Sequence, residues 1–293
     1  MKPAPFEYHI PDSLEQALDL MHQHAGEAKL LAGGQSLVPA MNFRVVQPGV
    51  LIDLNRLGEL SYIQPENQGL HIGAMTRERQ LEFDPLIPSW FPLLAEAMPH
   101  IAHPQIRNRG TLGGSLANAD PAAELPVIML ALGARLKARS ASGERWMEAQ
   151  NFFSGMFNTD LAPDEILVEI DLPASAPRTG WSFMEVAPRA GDYALMGVAA
   201  LVTLDENGVC RQARLVYLNA GDGPVDAQDA AKLLEGEMPN DHLIESVAAL
   251  ASEKEINPFG NVHTSSDFQR HLANVLTKKA LKLAMKRVEA NLP

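Results

Sequence analysis

Apolar residues recur at helical spacing soon after the start of the chain, where Leu14, Ala17, Leu18 and Met21 follow Pro11-Asp12-Ser13. That spacing predicts a helix, with Asp12 or Ser13 as the cap for the free amides of its first turn. The pattern then changes to short apolar runs. Residues 29–32 and 49–54 predict buried strands, with a helical turn over 37–43 between them. Residues 60–63 and 69–72 predict shorter strands around the turn residues Pro65, Glu66 and Asn67. Residues 85–97 are helical beyond their prolines, with Leu93, Leu94 and Ala97 on one face. After a glycine-rich stretch over 101–124, residues 125–132 predict a helix, and 135–138 and 165–172 predict further strands.

Gly180 opens a region of different character. Residues 181–188, 194–204 and 208–218 predict three strands of an antiparallel sheet. The last two are joined by Asp205-Glu206-Asn207-Gly208, and Asn-Gly tolerates the positive φ of a tight hairpin turn. Helices are expected over 227–235, 241–255 and 266–290. In the last, Leu272, Val275, Leu276, Lys279, Leu283 and Met285 make a partly apolar stripe, flanked by Lys278, Lys282 and Lys286. Pro, Ala and Ser concentrate over 173–179, which places a boundary between a first domain, 1–175, and a second, 178–293.

The chain has 293 residues, 46% hydrophobic and 20% charged, as expected of a globular protein with a substantial core. A net charge of −12 argues against nucleic acid or anionic lipid as partners. Any phosphate must therefore be held by local dipoles and not by a basic face. The single cysteine, Cys210, excludes an internal disulfide, a zinc knuckle or an iron–sulfur cluster held by this chain alone. The first 15 residues lack the apolar run of a signal peptide, and no window approaches the roughly 20 apolar residues of a membrane span. A cytoplasmic location is the expectation.

Two glycine segments carry candidate chemistry. Ala32-Gly33-Gly34-Gln35-Ser36 follows a predicted strand, and Ile106-Arg107-Asn108-Arg109-Gly110-Thr111-Leu112-Gly113-Gly114-Ser115 follows the helix ending near 97. Consecutive glycines let successive amides turn toward one point, a concavity suited to an anion; the alternative is a tight turn. Neither segment is a P-loop or G-x-G-x-x-G. Two amide nests, with the hydroxyls of Ser36, Thr111 and Ser115, would clasp a diphosphate from two sides. On that reading, alanine at Gly33, Gly34, Gly113 or Gly114 lowers ligand retention more than the stability of the empty protein. Arg107 and Arg109 either meet the diphosphate or pair with Asp53 or Asp120 to hold the loop.

These segments, with Asp120-Pro121-Ala122-Ala123-Glu124-Leu125-Pro126 and Arg189-Ala190-Gly191-Asp192-Tyr193-Ala194, resemble the FAD-binding medium subunit of molybdenum hydroxylases. The resemblance is to the carbon-monoxide, quinoline and nicotine dehydrogenase group, with the flavin domain of xanthine dehydrogenase more distant. It covers nearly the whole chain. It implies an α+β chain with a flavin fold of the vanillyl-alcohol-oxidase type. Two α/β subdomains, about 1–56 and 57–175, would precede a C-terminal domain with a three-stranded antiparallel sheet and a helical bundle. The implied FAD contacts are Lys29, Leu30, Leu31, Ala32, Gly33, Gly34, Gln35, Ser36 and Leu37 around the first loop. Around the second they are Ile106, Gly110, Thr111, Gly113, Gly114 and Ser115. Asn118, Asp120 and Glu124 match positions lining the ribityl and adenosine part, Ile101 and Ala102 a stretch packed on the cofactor, and Leu167 and Tyr193 positions near the isoalloxazine. A lysine of some relatives is Met184 or Glu185 here, a departure that removes that contact.

The family reading also implies partners: a small subunit with [2Fe–2S] clusters and a large subunit with the molybdenum cofactor, in a dimer of heterotrimers. This chain would relay electrons from the clusters through FAD to an external acceptor. No catalytic residue and no metal ligand is assigned to it. The rival readings are a free-standing FAD-dependent oxidase or reductase with its own substrate pocket, and a flavin-free binding module. The sequence offers less for other chemistry. Neither Ser36 nor Ser115 completes G-x-S-x-G. His22 with His24, and His100 with His103, lack a third ligand. Gly191 allows a sharp turn, so Tyr193 is expected to begin the next strand. It would either cover part of the isoalloxazine or pack between domains.

Overall fold

The computed structural model describes residues 1–66 and 69–290. The first layer is a small parallel sheet in the order β1 (Glu7–His9), β3 (Val50–Asp53), β2 (Ala28–Leu31). Helix α1 (Leu14–Gln23) crosses between β1 and β2 and buries Leu14, Ala17, Leu18 and Met21. Of the two expected caps it is Ser13 that acts, its hydroxyl oxygen accepting from the amide of Gln16 at 3.2 Å. Helix α2 (Leu37–Asn42) follows the first glycine loop.

The second sheet is antiparallel, in the order β4 (Ile63–Glu66), β5 (Gly69–Gly73), β10 (Ile166–Leu172), β6 (Arg135–Ser140), β7 (Gly143–Glu148). One expectation is corrected here, and one strand is new. The strand placed at 60–63 begins at Ile63 and runs through Pro65 and Glu66, because Leu60 closes a 3-10 turn, Gly58–Leu60, and is itself buried. Asn67 lies outside the described residues. Strand β7 had no sequence signal, since all its side chains but Met147 face water and no apolar alternation results. Short helices cover this sheet: α3 (Glu78–Phe83), α4 (Leu86–Trp90), α5 (Pro92–Ala97), α6 (Pro104–Arg107), α7 (Leu112–Asn118), α8 (Glu124–Leu132) and α9 (Ala149–Phe152). All nine residues of α8 are buried, so it runs through the core rather than over it. A two-stranded ribbon, β8 (Phe153–Gly155) with β9 (Asn158–Thr159), leads back toward β10.

The C-terminal sheet has four strands, not three: β11 (Thr179–Val186), β12 (Met196–Leu204), β13 (Cys210–Leu218) and the two-residue β14 (Val225–Asp226), all antiparallel. Strand β12 starts at Met196 and leaves Tyr193 in the preceding turn, because the carbonyls of Ala194 and Leu195 accept from the Asn219 side chain. In the turn before β13 only Gly208 has positive φ, and Asp205 closes it by accepting from the amides of Asn207 and Val209.

Helices α10 (Gln228–Lys232), α11 (Asp241–Leu250), a π-helical turn (Ala251–Glu255) and α12 (Ser266–Ala290) complete the chain. The buried face of α12 is Gln269, Ala273, Leu276, Thr277, Ala280, Leu281, Ala284 and Val288. Of the expected stripe only Leu276 is buried, and Lys279 is exposed. Alanines face the sheet because the helix lies against backbone: a Cβ on Gly180 would come within 1.9 Å of the Ala284 carbonyl oxygen. Both faces of the C-terminal sheet are covered. Phe183, Ala199, Val216 and Leu218 join the core around α8, whereas Val198, Ala200, Val202 and Tyr217 join that of α10, α11 and α12.

Candidate cofactor site

The first glycine loop leaves the end of β2, whose residues Lys29, Leu30 and Leu31 lead into it. Gly34 has φ +73°, the left-handed conformation that glycine adopts without a steric penalty. The Gln35 side chain donates to the Gly33 carbonyl at 2.9 Å and braces the turn. No backbone amide from 33 to 37 donates to an acceptor among the described residues, and the Ser36 hydroxyl makes no capping bond. Five successive donors, ending at Leu37, are left without an internal acceptor beside a left-handed Gly34, the kind of turn that gathers amides on an anion.

The second loop is built differently. Its glycines are not in a loop but in the first turn of α7, with Thr111 as N-cap accepting from the Gly114 amide at 3.1 Å. The amides of Leu112, Gly113 and Ser115 donate to the carbonyls of Thr76, Ala74 and Thr111 at 3.0, 2.8 and 3.1 Å. The expected second amide nest is therefore corrected: the amides from 112 to 115 are consumed within the protein, and what remains is the Ser115 hydroxyl with the Thr111 amide, which donates to no acceptor among the described residues.

Glycine is required here by packing. A Cβ on Gly113 would lie 2.6 Å from that of Ala74, and one on Gly33 would lie 2.4 Å from the Arg109 carbonyl oxygen and 2.8 Å from Gly110 Cα. The same measurements show that the two loops touch, Gly33 resting on Arg109 and Gly110, with Ala32 beside Gly114.

Residues that the sequence did not single out tie the loops together. Arg77 donates to the Arg109 carbonyl and, at 2.6 Å, to Asn55 Oδ1, while Asn55 Nδ2 donates to the Ala32 carbonyl at 2.9 Å. Neither residue belongs to a glycine motif or an apolar period, so no signal marked them. Glu78 donates its amide to the Gly110 carbonyl at 3.0 Å, and its buried carboxyl is pushed up to about 7, by burial against the opposing pull of Arg107.

Arg107 pairs with neither Asp53 nor Asp120. It is buried, makes two 2.9 Å hydrogen bonds to Glu82, and donates to the carbonyls of Ile101 and Ala102 at 2.7 and 3.1 Å. It thereby holds Ala102 at φ +41°. Asp53 instead accepts from the Tyr8 hydroxyl and the Asn55 amide.

Ala102, Asp120 and Tyr193 come together where the two domains meet. A Cβ on Gly191 would lie 2.5 Å from the His103 ring and 3.0 Å from the Ala102 carbonyl oxygen, so the β11–β12 turn sits directly on that segment. Tyr193 is 72% exposed, which excludes a role packed between domains. It borders a cleft of about 770 Å³ that Asp120, Phe157, Asn219, Asn261 and His263 also line. Ala119, Phe157, Gly191 and Asn219 all have positive φ in this neighbourhood. Asn118 and Ile106 are partly exposed, in α7 and α6. Ile101 and Leu167 are 8% and 6% exposed and belong to the core of the second sheet.

Glu124 is buried and its carboxyl is pushed up to about 8, by burial and then by the charge of Glu185. His100 pairs with Glu185, not with His103, and His24 stacks on His9. No group of three or more metal-ligating side chains occurs among the described residues.

Free amides and hydroxyls where two loops touch are a donor set that fits a diphosphate in an acidic protein, and comparison with known proteins agrees. Residues 4–175 match the model of the FAD binding domain in molybdopterin dehydrogenase, and residues 181–284 match the CO dehydrogenase flavoprotein C-terminal domain. The chain is 41% identical to the 6-hydroxypseudooxynicotine dehydrogenase complex subunit alpha of Paenarthrobacter nicotinovorans, over 98% of this chain and 97% of that one. It is 36% identical to the carbon monoxide dehydrogenase medium chain of Hydrogenophaga pseudoflava, over 98% and 99% of the two chains. A solved carbon monoxide dehydrogenase from that organism superimposes with a TM-score of 0.95, at 36% identity and covering 98% of this chain and 99% of that one. Quinoline 2-oxidoreductase from Pseudomonas putida 86 does so with 0.91, at 35% identity and covering 99% of each. The chain belongs to the family of FAD-binding medium subunits of molybdenum hydroxylases.

Proposed function

We propose that this chain binds one non-covalent FAD and passes electrons from the iron–sulfur clusters of a small partner subunit to an external acceptor. The run of free amides from 33 to 37, pressed against the second loop, is the observation that carries this reading. These amides, with the hydroxyls of Ser36 and Ser115, hold the diphosphate. Charge-assisted hydrogen bonds of this kind contribute about 1.5–3 kcal/mol each. Asn118, Asp120 and Glu124 would line the ribityl and adenosine part of the cofactor, and Ala102 and Tyr193 would face its isoalloxazine. The division at 173–179, with a further one near 56, follows the three sheets. Bound FAD accepts electrons singly or in pairs, which lets it join one-electron clusters to a two-electron acceptor. The protein positions it and limits access, and Tyr193 stands on the solvent side of the proposed ring position as a gate.

The complex is completed by a large subunit carrying the molybdenum cofactor, where substrate is hydroxylated, and is a cytoplasmic dimer of heterotrimers. No helix among the described residues is long and apolar enough to cross a membrane. A free-standing oxidase is disfavoured because the C-terminal sheet is packed on both faces and offers no cap over a substrate pocket. Cys210 is buried, its thiol pushed up to about 11 by burial, so it is unsuited to a covalent flavin tether.

Native purification with metal analysis and acid precipitation tests the proposal. The expected result is co-purification of an iron–sulfur chain and a larger molybdenum chain, with FAD released into the acid supernatant. A lone chain that oxidises substrate unaided, or flavin that stays on the polypeptide, refutes it.

A further inference from the structure

Three elements distant in sequence bring ionisable groups together where the domains meet. His100 ends the 3-10 turn Met98–His100, Glu124 opens α8, and Glu185 stands in β11. His100 Nδ1 lies 3.2 Å from Glu185 Oε1, and its ring meets Phe183 edge-on at 5.3 Å between centroids. The Glu185 side chain is 6% exposed, yet its Oε2 is buried with no hydrogen-bond partner among the described residues. Glu124 is 8% exposed. Leaving a buried carboxylate oxygen unpaired is costly, so this arrangement favours states in which protons neutralise the group. With His100 charged and one carboxyl protonated the three side chains are neutral; fully ionised they carry a net negative charge.

We propose that His100, Glu185 and Glu124 form a redox-linked proton store, which takes a proton from solvent when the bound flavin gains electrons and returns it on reoxidation. The inference rests on the flavin ring lying beside Ala102 and Tyr193, as proposed above. The electrons come from the partner's iron–sulfur clusters. The proton comes from water or buffer through the His100 side chain, which is 39% exposed. It forms an N–H bond on His100 or an O–H bond on Glu124, and no bond to the flavin is made by these groups.

The charge environment supports such linkage. Burial first, and Glu185 next, push the Glu124 carboxyl up to about 8, with Glu78 adding to the rise and His100 opposing it. Its hydrogen bond to Glu185 raises His100, and Glu124 and Glu96 act in the same direction. Glu96 is itself held by Arg287 at 2.7 Å. Asp120 and Tyr193 complete the surroundings of Glu124. Groups poised near neutrality respond to an added negative neighbour, and by reciprocity each proton bound raises the affinity for electrons.

Potentiometric titration of the flavin in the purified complex from pH 6 to 9 tests this, beside Glu185→Gln and His100→Gln. Wild type is expected to show a midpoint potential that falls more steeply with pH. One further proton per two electrons corresponds to about 30 mV for each tenfold change in proton activity. Both variants should lose that extra slope, and NMR of the apo chain should show His100 titrating at lower pH in Glu185→Gln. Equal slopes in all three proteins with FAD retained overturn the inference, as does loss of FAD from both variants, which would make these groups cofactor ligands. A wild-type complex without FAD would instead overturn the underlying reading of the site.

Discussion

At the scale of single residues, glycines alike in sequence serve different ends. Gly34 is needed for its backbone conformation, whereas Gly33 and Gly113 are needed because a neighbouring backbone leaves no room for a Cβ. Gly34→Ala is expected to cost about 1–2 kcal/mol, the penalty of a left-handed conformation for an L-residue, and to weaken FAD binding by disturbing the free amides. Gly33→Ala drives a methyl into the Arg109 carbonyl, and overpacking of this kind costs about 1–3 kcal/mol. Because that collision is with the protein itself, the apo form should lose stability together with its FAD. At Gly33, therefore, the close contact argues for a loss of apo stability and not of retention alone. Melting curves of apo protein beside flavin content check it, and a Gly33→Ala protein with an unchanged apo midpoint would remove the argument. The doublets are visible in the sequence, but the reason for Gly33 and Gly113 lies in residues 76 and 39 positions away, Arg109 and Ala74.

At the scale of elements, Arg107 shows how a motif residue acquires a structural task. It lies within the glycine-rich segment, yet its guanidinium is directed inward, joining α6 to Glu82 of α3 and to the carbonyls of residues 101 and 102. Its hydrogen bonds hold the Glu82 carboxyl below the usual range, against the smaller effect of burial. Arg107→Met keeps the length of the side chain but leaves Glu82 without its main partner. Breaking a buried pair in this way costs about 3–5 kcal/mol. Arg107→Met should therefore melt well below wild type and release the strained turn at Ala102, seen as faster amide exchange around residues 101–103. Equal exchange there would show that Arg107 does not hold the turn. The apolar periods announced α1, α8 and the central strands correctly. They gave no signal for β7, where water-facing side chains show no alternation, and they found α12 but misplaced its buried face, which includes Ala273, Ala280 and Ala284.

At the scale of the whole molecule, the proposed ring position exists only because the C-terminal domain is fixed against the first. Arg287 near the end of α12 makes two hydrogen bonds to Glu96 of α5, at 2.7 and 3.0 Å, and one to the Trp181 carbonyl at 2.8 Å. It also lies 5.1 Å from the Trp181 ring centroid. Removing this clamp should loosen the β11–β12 turn from Ala102 and His103 without touching the amides of the first loop. Arg287→Ala is expected to retain FAD at saturating cofactor but to shift the flavin spectrum and quicken reoxidation by oxygen, as the ring becomes more open to solvent. An unchanged spectrum and rate, with only a lower melting point, would confine Arg287 to stability.

The sequence by itself determined the family, most of the longer helices and strands and the two glycine segments, because short-range periodicity and local turn chemistry are written in consecutive residues. It also bounded the chemistry: an acidic chain with one cysteine must hold phosphate by dipoles and has no cluster ligands of its own. Tertiary structure alone decided which amides stay free. In the first loop they face no internal acceptor, while in α7 the carbonyls of Ala74 and Thr76 accept two of them. It alone joined Arg77 to Asn55, and His100 to Glu185, across gaps of 22 and 85 positions. The physical reason is that hydrogen bonding and burial depend on what the folded chain brings within about 3 Å, and neither has a period along the sequence.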